Sequence, residues 1–180
     1  MHSGKKISER FKSEPWVAGY DLINEPAWGT DRERVALRNL YGRITEVIRA
    51  NGDNHILFIE GNWYSNDFTG LTPAWDANMV YVFHKYWSDA SSQDIKWITD
   101  FRQAQNRPIW CGEHGENSND HFTKIVETFN ANRIGLSWWP MKKFSSINDF
   151  ADAKFPVGLY GPPEAIFAGT NPGPQSGDSI

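Results

Sequence analysis

The sequence predicts an α/β fold built from about five parallel βα units, on three observations. Apolar, strand-like runs end near residues 25, 60, 84, 113 and 139, about one strand plus one helix apart each time. Between them lie stretches with helical periodicity. Each run also ends on a residue with chemistry: Glu25, Glu60, His84, Glu113 and Trp139. In parallel α/β proteins that carboxyl edge is where ligands bind, in an open doubly wound sheet or in a barrel. No glycine-rich nucleotide fingerprint follows any strand, so an unrelated doubly wound protein with a phosphate-type ligand loses its usual support.

Each element has a local reason. Residues 5–14 carry Ile7 and Phe11 on one helical face and stop at Pro15. The run from Trp16 to Ile23 is apolar nearly throughout, as expected of a strand covered on both faces, and ends in Asn24-Glu25-Pro26. Thr30 and Glu33 form a capping-box pattern, opening a helix with apolar positions 37, 40, 41, 44, 47 and 48 that Asn51-Gly52 closes. His55–Glu60 is the next strand. Gly70 and Pro73 break the connection over 61–77, which has room only for a short helix. Strand Met79–His84 follows, then a helix from about Ser92 to Gln105 with Ile95, Ile98 and Phe101 on one face. Pro108 introduces strand Ile109–Glu113, and Asn119–Asn132 is helical through Phe122, Ile125, Val126 and Phe129. Ile134–Trp139 is the fifth strand. The last 25 residues hold five of the ten prolines and five of the fifteen glycines, so residues 1–155 are expected to fold and 156–180 to form a Pro/Gly-rich tail.

Composition narrows the function. A chain of 180 residues, 39% hydrophobic and 22% charged, with mean hydropathy −0.58, belongs with single-domain globular proteins. No apolar run approaches the roughly 18 residues of a spanning helix. A net charge of −4 offers no field to hold a phosphate backbone, so nucleic acid and membrane are excluded as expected partners and a neutral substrate fits better. The single cysteine, Cys111, has strand neighbours on both sides and reads as core. Met1-His2-Ser3-Gly4 leads straight into a polar stretch with no apolar signal region behind it. Nine Trp, six Tyr and eleven Phe are an unusual load, and flat side chains can line a groove where the C–H faces of sugars stack. Trp16, Trp97 and Trp110 read as packing. Trp28, Trp63, Trp75 and Trp87 lie in or near strand-end loops, where stacking on a ligand is an open alternative.

Two carboxylates stand out because each ends a buried strand and is fenced by residues that fix the backbone: Glu25 precedes Pro26, and Glu113 follows Gly112. Two strand-end carboxylates facing one cleft can divide the cleavage of a glycosidic bond, one protonating the leaving oxygen and the other attacking or activating water. Read singly, each could equally be a helix cap or half of a surface ion pair. His114 and Glu116 lack a third ligand at suitable spacing, so no metal and no cofactor is expected.

Four segments, Tyr20-Asp-Leu-Ile-Asn24-Glu25-Pro26, His84-Lys-Tyr86, Pro108-Ile-Trp-Cys-Gly-Glu113-His-Gly115 and Ser137-Trp-Trp139-Pro-Met-Lys142, resemble family 5 glycoside hydrolases, the large cellulase-type family. The resemblance covers roughly residues 5 to 150. It implies a partial (β/α)8 TIM barrel, with these segments on its fourth, sixth, seventh and eighth strands, and retaining hydrolysis of β-1,4 bonds in a cellulose-like glucan. By the same resemblance Glu25 is the general acid/base and Glu113 the nucleophile, with Asn24 bonding the sugar 2-hydroxyl. His84 and Tyr86 line the site, Tyr86 bonding the nucleophile, and Trp139 is the platform under the sugar, with Trp138 the alternative registration. Glu60 and Trp63 shape the cleft. Mannan and xylan remain alternative substrates, and the family leads one to expect secretion.

Nothing in the chain corresponds to the first three βα units of such a barrel, which in the family carry an Arg that supports the nucleophile and a His near the cleavage subsite. Five parallel strands without closure leave raw edges at the strands ending at 25 and 139. The expectation is a homo-oligomer that covers those edges with copies of itself. The rival reading is a catalytically impaired fragment that self-assembles or only binds carbohydrate.

Overall fold

The structure, a computed structural model, describes residues 2–27, 29–86 and 88–139, so Trp28, Trp87 and the predicted 156–180 tail lie outside the described residues. The described residues form two compact units, residues 2–84 with 98–110, and residues 85–97 with 111–139.

The first unit opens with α1 (His2–Phe11), β1 (Gly19–Asp21), α2 (Asp31–Ala50) and β2 (Ile56–Glu60). The four-residue α3 (Asn62–Ser65) and β3 (Met79–His84) follow, with α4 (Lys96–Gln105) from Ile98 and the first residues of β4 (Ile109–His114). β1 runs parallel to β2, with Gly19 opposite Ile56, and β2 parallel to β3, with Leu57 opposite Met79. The start of β4 joins β3 where Tyr81 N–H donates to the Pro108 carbonyl at 3.1 Å. Strands neighbour one another in chain order, so this is the predicted succession of parallel βα units, part of a (β/α)8 arrangement.

The capping box that opens α2 is present as predicted: the Thr30 hydroxyl accepts from Glu33 N–H, and Glu33 reaches back to Thr30 N–H. Leu37, Tyr41 and Ile48 form its buried stripe, while Leu57 and Ile59 of β2 and Tyr81, Val82 and Phe83 of β3 fill the core. Consecutive buried residues in β3 mean that both of its faces are covered, as in parallel sheets. Phe101 of α4 stacks on Phe68 at 4.6 Å between ring centres and meets Tyr81 edge-on at 4.9 Å. Below the sheet, the buried Asp53 carboxylate accepts from Ser8 Oγ and Tyr20 OH at 2.8 Å each and from His55 N–H at 3.0 Å, tying α1 and β1 to the turn before β2. Burial by itself would raise the Asp53 pKa, but these bonds outweigh it and hold the group at about 2.

Some expectations for this unit need correction. The run 16–23 was expected to be covered on both faces, but only Gly19–Asp21 is strand and Trp16 is 93% exposed. The physical reason is that β1 pairs only with β2 among the described residues, so one edge faces solvent beside an apolar cavity of about 430 Å³ lined by Ile7, Tyr20, Leu22 and Ile44. Trp75 is not a ligand platform. It stacks on Tyr41, donates from its ring nitrogen to Thr45 Oγ1 at 3.0 Å, and carries the Arg38 guanidinium 4.1 Å above its ring. Trp110 packs as predicted, edge-on to Phe58.

In the second unit the end of β4 lies between Lys85, whose N–H donates to the Glu113 carbonyl at 3.1 Å, and β5 (Gly135–Trp138). Helix α5 (Asn119–Ala131) starts on the Ser118 cap and buries Ile125 and Phe129. Trp97, expected to pack, is 43% exposed, because the face of this segment that turns inward is the one carrying the buried Ile95 and Ile98, and Trp97 falls between them off that face. No described helix is long and apolar enough to cross a membrane.

Candidate active site

The first unit supplies Glu25 and a set of polar groups at the carboxyl ends of β1, β2 and β3. Glu25 follows the exposed Asn24 in the loop after β1 and takes a left-handed backbone, φ 43°, which a residue with a side chain adopts at a cost. Its N–H donates to Glu60 Oε2 at 2.5 Å. Its side-chain Oε1 lies 2.7 Å from His84 Nδ1, and the other ring nitrogen of His84 lies 3.3 Å from Glu60 Oε1. Both His84 and Glu60 are buried. They end buried strands in one parallel sheet, so their side chains emerge at the same edge.

Sequence reasoning passed over Asp21, which also belongs to this set. Crowding by protein atoms, then the neighbouring Glu60 charge and a hydrogen bond to it, push the Asp21 carboxyl up to about 8. Asp21 itself remains exposed to water. The signal was present: an acid inside the otherwise apolar run from Trp16 to Ile23.

Beyond β2 the chain makes a left-handed turn at Trp63, Tyr64 and Ser65, with φ 52°, 55° and 65°. The turn is tied to the loop after Glu25, since Tyr64 N–H donates to the Pro26 carbonyl at 3.2 Å. It leaves the Trp63 and Tyr64 rings exposed and edge-on to each other, 5.7 Å between centres. Tyr64 is a second aromatic here that sequence reasoning did not name.

The second unit holds the other carboxylate. Tyr86 OH donates to Glu113 Oε2 at 2.6 Å, a charge-assisted length. Trp138 and Trp139 are exposed, and Trp139 N–H donates to the His114 carbonyl at 2.9 Å, which aligns β5 with the end of β4. Gly115 permits this close passage: a Cβ there would lie 1.8 Å from the Trp139 carbonyl oxygen.

His114 is fully buried, hydrogen-bonded through Nδ1 to the Lys85 carbonyl, stacked on His121 at 5.3 Å and tilted against Trp138 at 5.4 Å. Burial pushes its pKa down to about 4. The Cys111 thiol is buried and pushed up to about 12, which leaves it a thiol and not a nucleophile. Within the first unit, then, Glu25, His84 and Glu60 come together, and within the second, Glu113 and Tyr86.

Comparison with known proteins gives the family. Residues 2–145 match the family described as Cellulase (glycosyl hydrolase family 5). A β-xylosidase from Phanerodontia chrysosporium is 32% identical over 176 residues, covering 77% of this chain and 36% of that protein. An endoglucanase from Paenibacillus polymyxa is 28% identical over 155 residues, covering 74% of this chain and 38% of that protein. The chain thus spans a little over a third of the length of these curated relatives. Among solved structures, endoglucanase Cel5A from the hyperthermophilic Thermotoga maritima superposes with a TM-score of 0.69 at 17% identity, over 85% of this chain and 61% of that one, a likeness of fold. With four-fifths of its length inside one family match, the chain belongs to the cellulase family, glycosyl hydrolase family 5.

Proposed function

We propose that this chain carries the two catalytic carboxylates of a retaining endo-β-1,4-glucanase, Glu25 as general acid/base and Glu113 as nucleophile. One observation carries the proposal: each glutamate ends a parallel strand or the loop after it and is held by its own partner, Glu25 by His84 at 2.7 Å and Glu113 by Tyr86 at 2.6 Å. In the first step a Glu113 oxygen attacks the anomeric carbon while Glu25 gives its proton to the departing glycosidic oxygen. In the second, Glu25 takes a proton from water, and the resulting hydroxyl oxygen displaces Glu113 with overall retention. Tyr86 donates to the attacking carboxylate and orients it. Asn24, exposed next to Glu25 in the chain, bonds the sugar 2-hydroxyl in this reading. Trp139, with Trp138 beside it, serves as the stacking platform, and Trp63 extends the aromatic surface.

A cellulose-like glucan is the substrate we favour. Solved structures of the similar Thermotoga maritima Cel5A hold cellobiose and mannotriose, which makes mannan the first alternative, and the β-xylosidase relative adds xylan. A polymer of this kind does not cross membranes, which fits an extracellular place of action.

The test is release of reducing ends from a soluble cellulose derivative. Glu25→Gln and Glu113→Gln should each lower it by at least ~100-fold. Full activity in both variants would end the proposal. The exposed Trp63, Tyr64, Trp138 and Trp139 favour a second reading, carbohydrate binding without turnover. Binding of cello-oligosaccharides by the wild-type chain with no product released would select it. We also propose that the free edge of β1 and the apolar cavity beside it are covered in solution by a second copy of the chain.

A further inference from the structure

We infer that Glu60 is a positioning residue that clamps the Glu25 main chain and fixes the orientation of the His84 ring, so that Glu25 and His84 Nδ1 hold one proton between them. The inference rests on the reading of Glu25 as the acid and assigns Glu60 a role other than contact with sugar.

Glu60 is 1% exposed, and its two oxygens face two groups: the Glu25 N–H at 2.5 Å and His84 Nε2 at 3.3 Å. A buried carboxylate needs donors, and an imidazole nitrogen facing it is favoured with its hydrogen on. Nε2 is therefore the protonated nitrogen. Across the ring, Nδ1 sits 2.7 Å from Glu25 Oε1, and a bare nitrogen and a bare carboxylate would repel at that distance. In the resting arrangement seen here one proton lies on this axis, either as Glu25 O–H pointing at Nδ1 or as Nδ1–H pointing at the Glu25 carboxylate, and the contact loosens for as long as that proton is away. When Glu25 protonates the glycosidic oxygen, that proton leaves with the sugar; when water attacks in the second step, its proton returns to the same axis.

Asp21 completes the logic. It hydrogen-bonds Glu60, and two carboxyl groups can do so only if one carries a proton. Crowding and the Glu60 charge push the Asp21 carboxyl up, toward the protonated form that can donate, so Asp21 adds to the Glu25 N–H and His84 Nε2 that face Glu60. The Glu60 bond to the Glu25 main chain also accounts for how the strained φ of 43° is held: the N–H is fixed by a charged acceptor that ends the adjacent strand.

The test combines a spectrum with a leaving-group comparison. In long-range ¹⁵N–¹H spectra of the whole chain at neutral pH, His84, assigned with His84→Gln, should show Nε2 protonated. In Glu60→Gln the amide offers one oxygen where the carboxylate offered two, and the His84 signals should move toward a mixture of tautomers. A wild-type His84 with bare Nε2, or a spectrum that Glu60→Gln leaves unmoved, overturns the inference, and the wild-type spectrum decides even if the variant does not fold. In the kinetic arm, Glu60→Gln should lower kcat/KM, which reports the step in which the leaving group departs, on phenyl β-cellobioside, which needs acid help, by ~10–100-fold more than on the dinitrophenyl analogue, which does not. Glu60→Asp should recover part of the loss. Equal losses on both substrates would mark Glu60 as a structural residue only and overturn the inference. Glu25→Gln separates the two layers. If it shows no leaving-group dependence, the reading of Glu25 as the acid fails; if it does and Glu60→Gln behaves as wild type, this inference fails alone.

Discussion

Single backbone positions carry much of the geometry of this site. Gly19 lets β1 lie against β2, since a Cβ there would meet the Ile56 carbonyl oxygen at 2.3 Å, and Gly115 does the same against Trp139. Backbone cannot retreat as a flexible side chain can, so Gly19→Ala and Gly115→Ala should each cost about 1–3 kcal/mol. Urea midpoints equal to wild type would contradict this. The left-handed turn at Trp63 is strain of the opposite kind, kept where two aromatic rings are displayed. Trp63→Gly should raise stability by up to ~1 kcal/mol while weakening cello-oligosaccharide binding several-fold. Calorimetry on one preparation reads both, and a stabilised variant with unchanged affinity would remove Trp63 from the binding surface. Glu25 could be picked out in the sequence because Pro26 and an apolar run frame it. Its φ and its contact with His84 could not, since residues 25 and 84 meet only once the strands pair.

At the scale of elements, the capping box is a local device, and its strength can be measured locally. Thr30→Ala removes the acceptor for Glu33 N–H at the start of α2 and should cost about 1 kcal/mol in chemical denaturation; a loss below ~0.3 kcal/mol would show that packing alone sets the helix start. Acid should destabilise the elements in two stages. The buried His114 and the half-buried His121 are both held below the ordinary imidazole range, mainly by burial, and Nε2 of each has no hydrogen-bond partner among the described residues. The unfolded chain binds protons here first, so stability present above about pH 6.5 is lost as pH falls toward about 4, by on the order of 3 kcal/mol for His114. Asp53, held at about 2, adds stability that is full above its ordinary value near 4 and is lost as pH falls toward 2. His114→Gln should flatten the slope of denaturation midpoint between pH 6.5 and 4 and leave the slope below pH 4 in place. An unchanged upper slope would assign it to other groups. The helices and central strands were legible in the sequence because their burial is periodic or continuous. The first strand was not: its apolar run promised two covered faces, and only its neighbours could show that one edge is open.

For the whole molecule, the free edge of β1 leads to a prediction about association. Sedimentation velocity at micromolar concentration should show dimers or larger species, and a monodisperse monomer would contradict it. The sequence by itself determined the succession of βα units, the family, and which glutamates lie at or just beyond the carboxyl ends of strands. Those properties follow from local periodicity and from short motifs in which neighbouring residues act together. Only the tertiary structure decided that Asp21, Glu60, His84 and Glu25 form one hydrogen-bonded set, that Trp75 packs on α2, and that Trp16 faces water. Their physical reason is common: hydrogen bonds and burial are set by which strand lies beside which and in what register, and a one-residue shift would turn every side chain to the other face.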